Sequence, residues 1–267
     1  MRRPLRRVRK EALQASAIPT FQARGPSASA ESIRWVVAPG RMPRGRRVYV
    51  IGDVHGACES LVRLHEQIRA DLAARPLPAA VVVHLGDYID QGPDSAGVIR
   101  LLTSNPFPGL TMVNLLGDHE RMLLDALDGD RAAATDWLWA GGKAALQSWG
   151  LSPDLPREDW AEALPATHIA WLRSLALSHR EGSYLFVHAG IRPGVDVRDQ
   201  SREDLLTIRQ PFLSTEQDFS VVVVHGHSSV PAVAVLPNRI GLDTGAGMGG
   251  KLTCAVLEDD VIGLIAV

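Results

Sequence analysis

The chain has 267 residues, is 46% hydrophobic and carries a formal net charge of −2, enough apolar material for one large α/β domain or two small ones. Its two cysteines, Cys58 and Cys254, exclude a disulfide framework and a cysteine-rich metal site, and point to a reducing compartment. No apolar run approaches the ~18 residues that a bilayer span needs, so a soluble, cytoplasmic protein without a membrane span is expected.

The charge is uneven. Residues 1–47 hold 12 of the 28 Lys and Arg, against Glu11 and Glu31 as acids. This segment reads as a solvated, partly disordered basic arm; contact with an acidic partner or membrane surface is the alternative, and no specific nucleic-acid partner is implied. Its Arg-rich, acid-poor composition also resembles a transit peptide, as would a misplaced start codon. The Pro- and Gly-bearing stretch from Ala38 to Arg47 reads as a linker, which puts the folded domain at residues 48–267.

In chain order, a strand from Val48 ends at Gly52. Leu61, Leu64, Ile68 and Leu72 recur at three- and four-residue spacing, predicting a helix from Cys58 to Ala74. A buried strand over Val81–Leu85 follows, then a loop, a helix near Ser95–Thr103 and a third strand over Leu110–Leu116. This βαβαβ order argues for a largely parallel core. Residues 121–176 read as a helical insertion whose tryptophans, Trp137, Trp139, Trp149, Trp160 and Trp171, are expected in the core. The last third returns to strands: Ser183–Val187, Val221–Val224, Arg239–Leu242, Leu252–Leu257 and Val261–Val267. Their close spacing predicts an antiparallel second sheet.

Three strands end in Gly-Asp, at Asp53, Asp87 and Asp118, and two others end in His188 and in the His225-Gly226-His227 turn. With His55, the candidate ligands are Asp53, His55, Asp87, Asp118, His188 and His227. Each alone has an ordinary reading as a turn residue; together, at strand ends, they are hard to explain as packing. Carboxylate and imidazole without thiolate suit Mn, Fe or Zn rather than calcium. Six ligands are too many for one open catalytic ion, and two ions about 3.5–4 Å apart, sharing Asp87, fit better.

At these residues the chain resembles a known family. GDVHG (52–56), GDYIDQG (86–92) and GDHE (117–120) are similar to the GD-x-HG, GD-x-x-DRG and GNHE motifs of calcineurin-like metallophosphoesterases of the phosphoprotein phosphatase branch. VHAG (187–190) and HGHS (225–228) resemble its later His motifs, and the segments at Trp137–Gly142, His188–Gly194 and Leu242–Ala246 resemble bacterial serine/threonine phosphatase-like members. Symmetrical dinucleoside polyphosphate hydrolases are similar relatives. The resemblance implies an α/β fold with two central mixed β-sheets flanked by helices in a four-layer sandwich. It implies two divalent metal ions, manganese first and iron or zinc as alternatives, one held by Asp53, His55 and Asp87, the other by Asp87, Asp118, His188 and His227. A hydroxide between the ions would attack phosphorus, His119 would be the general acid and Asp90 its support.

Two departures stand out: Gln91 where the family has Arg, and Asp118 where it has Asn. Arg209 is the best remaining cation for phosphate, with a surface salt bridge as its ordinary reading; Gln91 and His225 complete the candidate substrate contacts. The implied function is hydrolysis of phosphoserine, phosphothreonine or phosphotyrosine in proteins, or of a small phosphoester. A symmetrical dinucleoside polyphosphate hydrolase and a weakened or non-catalytic phosphoryl-binding protein are the alternatives.

Overall fold

A computed structural model describes residues 33–267; the greater part of the basic arm lies outside them. Among the described residues eleven strands form two sheets. The first contains β1 (Trp35–Val37), β2 (Arg46–Ile51), β3 (Ala79–His84), β4 (Thr111–Asn114), β10 (Thr253–Glu258) and β11 (Val261–Ala266), in the order β1-β11-β10-β2-β3-β4. The second contains β5 (Ser178–Glu181), β6 (Tyr184–Val187), β7 (Val222–His225), β8 (Ala234–Val235) and β9 (Arg239–Gly241), in the order β5-β6-β7-β9-β8. Both sheets are mixed: β2, β3 and β4 run parallel, as do β6, β7 and β9, while β10, β11 and β1, and likewise β5 and β8, pair antiparallel to their neighbours.

The period of two along each strand builds four layers. Val48, Val50, Val81 and Val83 face Phe186, Val222, Val224 and Ile240 across the gap between the sheets. Tyr49, Ile51 and Val82 point the other way, under α1 (Cys58–Ala74), α2 (Ser95–Thr103) and α3 (Asp118–Leu127). On the far side, Leu185, Val187 and Val223 pack against Leu205, from α8 (Arg202–Thr207), with Ile208 and Phe212. Between β4 and β5 the chain runs through α3, α4 (Arg131–Trp137), a π-helical turn over Leu138–Gly142, α5 (Lys143–Ser148), α6 (Arg157–Ala163) and α7 (Ala166–Arg173). Trp137 and Trp160 are fully buried there and meet edge to face, with ring centroids 5.0 Å apart. Trp139 departs from the expectation of a core tryptophan: it is 87% exposed.

The arrangement of strands corrects the sequence reading in three places. The last two strands join the first sheet, because β10 pairs with β2 through the register Cys254↔Ile51 to Glu258↔Arg47. The centre of the second sheet is parallel rather than antiparallel. And ordered packing begins before Val48: β1 pairs with β11, Met42 is buried in the layer between the sheets, and Ala38 and Met42 donate backbone N–H bonds to Asp260 and Asp259. The last basic residues of the supposed linker are internal ion-pair partners, Arg46 with Glu181 at 2.8 Å and the buried Arg47 with Glu258 at 2.8 Å. Among the described residues no helix is long and apolar enough to cross a membrane.

Candidate active site and metal centre

The carboxyl ends of β2, β3, β6 and β7 converge between the sheets, and the loops leaving them carry the functional side chains. These loops are tightly contorted. Among the described residues eight non-glycine positions have left-handed φ, and five are here: His55 (43°), Asp87 (50°), Asp90 (74°), Gln91 (59°) and His227 (59°). Such conformations cost roughly 1 kcal/mol or more each for a residue with a Cβ, so the surroundings must hold them. For the Asp87–Gln91 loop the holder is Glu120, fully buried in the first turn of α3. One of its oxygens accepts from the backbone N–H of Asp87 (2.9 Å) and Gly117 (3.0 Å), the other from Tyr88 (2.8 Å) and Ile89 (3.2 Å). Burial and the nearby Asp87 charge raise the Glu120 pKa to about 8. Four N–H donors accept no proton, however, and the geometry is that of a carboxylate.

Asp87, Asp118, His188 and His227 each offer a donor atom within 4.8 Å of the others, and His55, Asp87 and His119 form a second such group sharing Asp87. His55 Nδ1 lies 3.0 Å from the Ile89 carbonyl and His188 Nδ1 2.9 Å from that of Leu85, so each donates its Nδ1–H to backbone. That fixes the tautomer and turns Nε2 inward, 3.4 Å from Asp87 in His55 and 2.9 Å from Asp118 in His188. His227 Nδ1 lies 3.0 Å from the same Asp118 oxygen. Asp53 Oδ2 accepts from the His227 backbone at 2.7 Å.

The electrostatics call for cations. Burial and the neighbouring Asp243 raise the Asp53 pKa well above the carboxylate range. Asp118 is pulled the other way: burial opposes its ionisation, but hydrogen bonds from His188 and His227 prevail and hold it well below that range. Asp53 Oδ1 and His227 Nε2 are buried with no hydrogen-bond partner. Orphaned donor atoms, clustered carboxylates and an oxygen and nitrogen donor set without thiolate fit a divalent metal.

Beside this cluster, His119 Nδ1 sits 2.6 Å from Asp90 Oδ2, with Asp90 completely buried. Burial works against protonation of His119, but Asp87's charge and the Asp90 hydrogen bond outweigh it and raise the imidazole to about 10. Burial raises Asp90 to about 6 against the pull of His119. The Asp90 hydrogen bond and the Asp87 charge thus favour the protonated imidazole of His119.

Residues 46–264 match the model of the calcineurin-like phosphoesterases. The chain belongs to this family. It is 31% identical to a symmetrical bis(5'-nucleosyl)-tetraphosphatase of Dechloromonas aromatica, over 79% of this chain and 92% of the relative. It is 29% identical to serine/threonine-protein phosphatase 1 of Salmonella typhimurium, over 80% and 93%. The fold is also that of a cold-active protein-tyrosine phosphatase of a psychrophilic Shewanella, with a TM-score of 0.55, 20% identity, and 83% of this chain and 79% of that one covered. Metallophosphoesterase chemistry is thus the activity of the family, and its relatives are named both for phosphoproteins and for dinucleotides.

Above the Asp and His cluster of this phosphoesterase opens a cavity of about 250 Å³, lined by His55, Asp87, Asp118, His119 and His227 and, around them, by Gln91, Arg209, Ser229, Asp243 and Met248. Gln91 and Arg209 are thus at the cavity. Arg209 is its one Arg or Lys, its guanidinium 3.4 Å from the His227 carbonyl. His225 is not at the cavity. It is the last residue of β7, and alternation puts it with Val223 on the outer face, where its ring meets Phe212 edge-on at 5.1 Å. Burial lowers its pKa to about 4 and keeps it neutral. Sequence reasoning missed Asp243 and Met248 at the cavity and Glu120 beneath it. Asp243 follows an apolar strand end as Asp53 and Asp87 do, and that is the signal in the sequence that points to it.

Proposed function

We propose that this phosphoesterase is a protein phosphatase: a hydrolase of phosphoserine or phosphothreonine, and of phosphotyrosine, that works with two divalent ions, manganese first among them. Asp53, His55 and Asp87 would hold one ion, and Asp87, Asp118, His188 and His227 the other. When bound, the ions supply Lewis acidity, neutralising phosphoryl charge and making a nucleophile available from water at neutral pH. The chain's own residues do the rest. His119 presents a proton on Nε2 to the leaving oxygen as its bond to phosphorus breaks; Asp90 holds the ring by Nδ1 and stabilises its charge. Arg209 orients a phosphoryl oxygen, while Gln91 offers a neutral amide where a guanidinium would have given a paired, charge-assisted contact.

The observation that carries this reading is the 2.6 Å pairing of His119 with Asp90. An alkoxide is a poor leaving group and needs a proton; a nucleotide leaving from an anhydride needs one far less. The single Arg at the cavity points the same way, since a tetraphosphate chain is several charges richer than a monoester. The 31% identical tetraphosphatase keeps dinucleotide hydrolysis as the second reading. The test is a side-by-side assay of the Mn²⁺-loaded protein on a phosphoserine peptide and on diadenosine tetraphosphate. The peptide is expected to be turned over faster, and His119→Asn to slow it by roughly 10²- to 10⁴-fold. Undiminished peptide turnover in that variant removes the proton-donor role, and a preference for the dinucleotide transfers the assignment to the second reading.

A further inference from the structure

The buried interior beside the site holds two polar atoms that each lack a hydrogen-bond partner: Asp90 Oδ1 and Trp137 Nε1. Asp90 uses its other oxygen on His119, and its backbone N–H is satisfied by Ser95 Oγ at 2.9 Å. Trp137 is the last residue of α4 and is fully buried. What holds it there is visible in the two glycines that follow. A Cβ on Gly142 would meet the Trp137 ring at 2.5 Å, and one on Gly141, whose φ is 121°, would meet the Gln91 backbone nitrogen at 2.7 Å. The π-helical turn is therefore clamped between the indole and the residue next to Asp90. Trp160 fixes the indole's other side, edge to face at 5.0 Å. A buried N–H and a buried carboxylate oxygen are each costly when left alone, and the approach of one to the other satisfies both. The indole N–H also counts among the groups that lower the Asp90 pKa against its burial.

We propose that Trp137 is a positioning residue for the proton donor: its indole N–H closes on Asp90 Oδ1, so that Oδ2 is held on His119 Nδ1. The inference rests on the reading of His119 as proton donor to the leaving oxygen. The indole gives up no proton. It fixes the carboxylate's rotation, and through it the direction in which His119 Nε2 delivers its proton while the phosphorus–oxygen bond breaks.

A merely structural tryptophan would support all substrates equally; one that aims the acid matters most where the leaving group needs a proton. The experiment compares the full-length, Mn²⁺-loaded wild type, Trp137→Phe and His119→Asn on p-nitrophenyl phosphate, a good leaving group, and on a phosphoserine peptide, a poor one. Trp137→Phe keeps the ring and removes the N–H. Its kcat on the peptide is expected to fall on the order of 10-fold, several times more than on p-nitrophenyl phosphate, with KM little changed. In an Asp90→Asn background the same substitution is expected to add nothing. Equal losses on both substrates, or full additivity, overturn the proposal while leaving His119 as the acid. Equal losses on both substrates in His119→Asn overturn the donor reading and the proposal together. Should Trp137→Phe fail to fold, the assigned indole N–H resonance of Trp137 decides instead: Asp90→Asn is expected to move it upfield, and an unmoved resonance refutes the contact.

Discussion

His65 on α1 and His84 at the end of β3 are both fully buried, with their Nε2 atoms 3.2 Å apart. Phe107 meets His65 at 4.7 Å, Tyr88 lies 6.3 Å from His84, and the charge of Arg69 disfavours a cation at His65. Burial, then Arg69, lowers His65 to about 3; burial, then His65, holds His84 well below the ordinary imidazole value. Both folded-state values lie below the unfolded one of about 6.5, so the unfolded chain binds more protons below that pH. Stability from this pair is complete above pH ~6.5 and is lost as the pH falls from there toward 3. Each imidazole contributes a slope of about 1.4 kcal/mol per pH unit, so a drop from pH 6.5 to 5 costs roughly 2 kcal/mol per ring, against a total stability of about 5–15 kcal/mol. His65→Gln keeps a polar side chain at the contact and removes one titration. Urea unfolding of wild type and variant at several pH values between 5 and 8 isolates the difference, since every other ionisable group is common to both. Below pH 6 the wild-type slope is expected to be the steeper by about 1.4 kcal/mol per unit. Parallel slopes would refute the claim that a neutral His65 is built into the fold.

Glu120→Gln leaves one acceptor oxygen for four N–H donors; unfolding stability is expected to drop by about 2–4 kcal/mol and Mn²⁺ affinity to weaken with it, and a change under 0.5 kcal/mol in urea unfolding would remove Glu120 as the holder of the Asp87–Gln91 loop. Chelation of the metal is expected to lower the melting temperature by about 5–10 °C relative to protein in metal at ~100 times its dissociation constant, because cations offset the clustered carboxylates; equal melting curves would rule out a stabilising site. Gln91→Arg places a guanidinium at the cavity rim and is expected to raise kcat/KM on a phosphomonoester about tenfold, mainly through KM; steady-state rates that do not move would show that Gln91 does not face the phosphoryl group.

What was legible in the sequence follows the range of the forces involved. The helix from Cys58 to Ala74 is read off correctly because Leu61, Leu64 and Ile68 make one buried stripe, a purely local pattern. The last two strands are also legible as strands, but their sheet is not: β10 finds β2 some 200 residues earlier in the chain, and apolar alternation says nothing about which edge it meets. The short β1, just three residues within the basic arm, carries too little pattern to announce itself. Trp139 was expected inside because tryptophan usually is, but the left-handed Gly141 turns the chain through a π-helical turn, and the side chain emerges into solvent.

The same distinction runs through the site. The ligand-type residues are legible because a strand, a glycine and an aspartate come consecutively, and the strand ends of a layered α/β fold converge. His225 and His227 look equivalent in HGH, and only the strand's period separates them: residue 225 still obeys the alternation of β7 and turns outward, whereas 227 lies past the strand end, with a φ of 59° that turns it onto Asp118. The supports are not legible at all. Glu120 reads as an ordinary helix-start acid until the chain brings the Asp87, Tyr88 and Ile89 amides to it, and Trp137 reads as core until its unpaired N–H is set beside the unpaired oxygen of Asp90. A sequence can place donor types at strand ends. The left-handed backbone of the Asp87–Gln91 loop is held by Glu120, some 30 positions away, so the geometry of the site depends on a side chain from a helix outside the loop it braces.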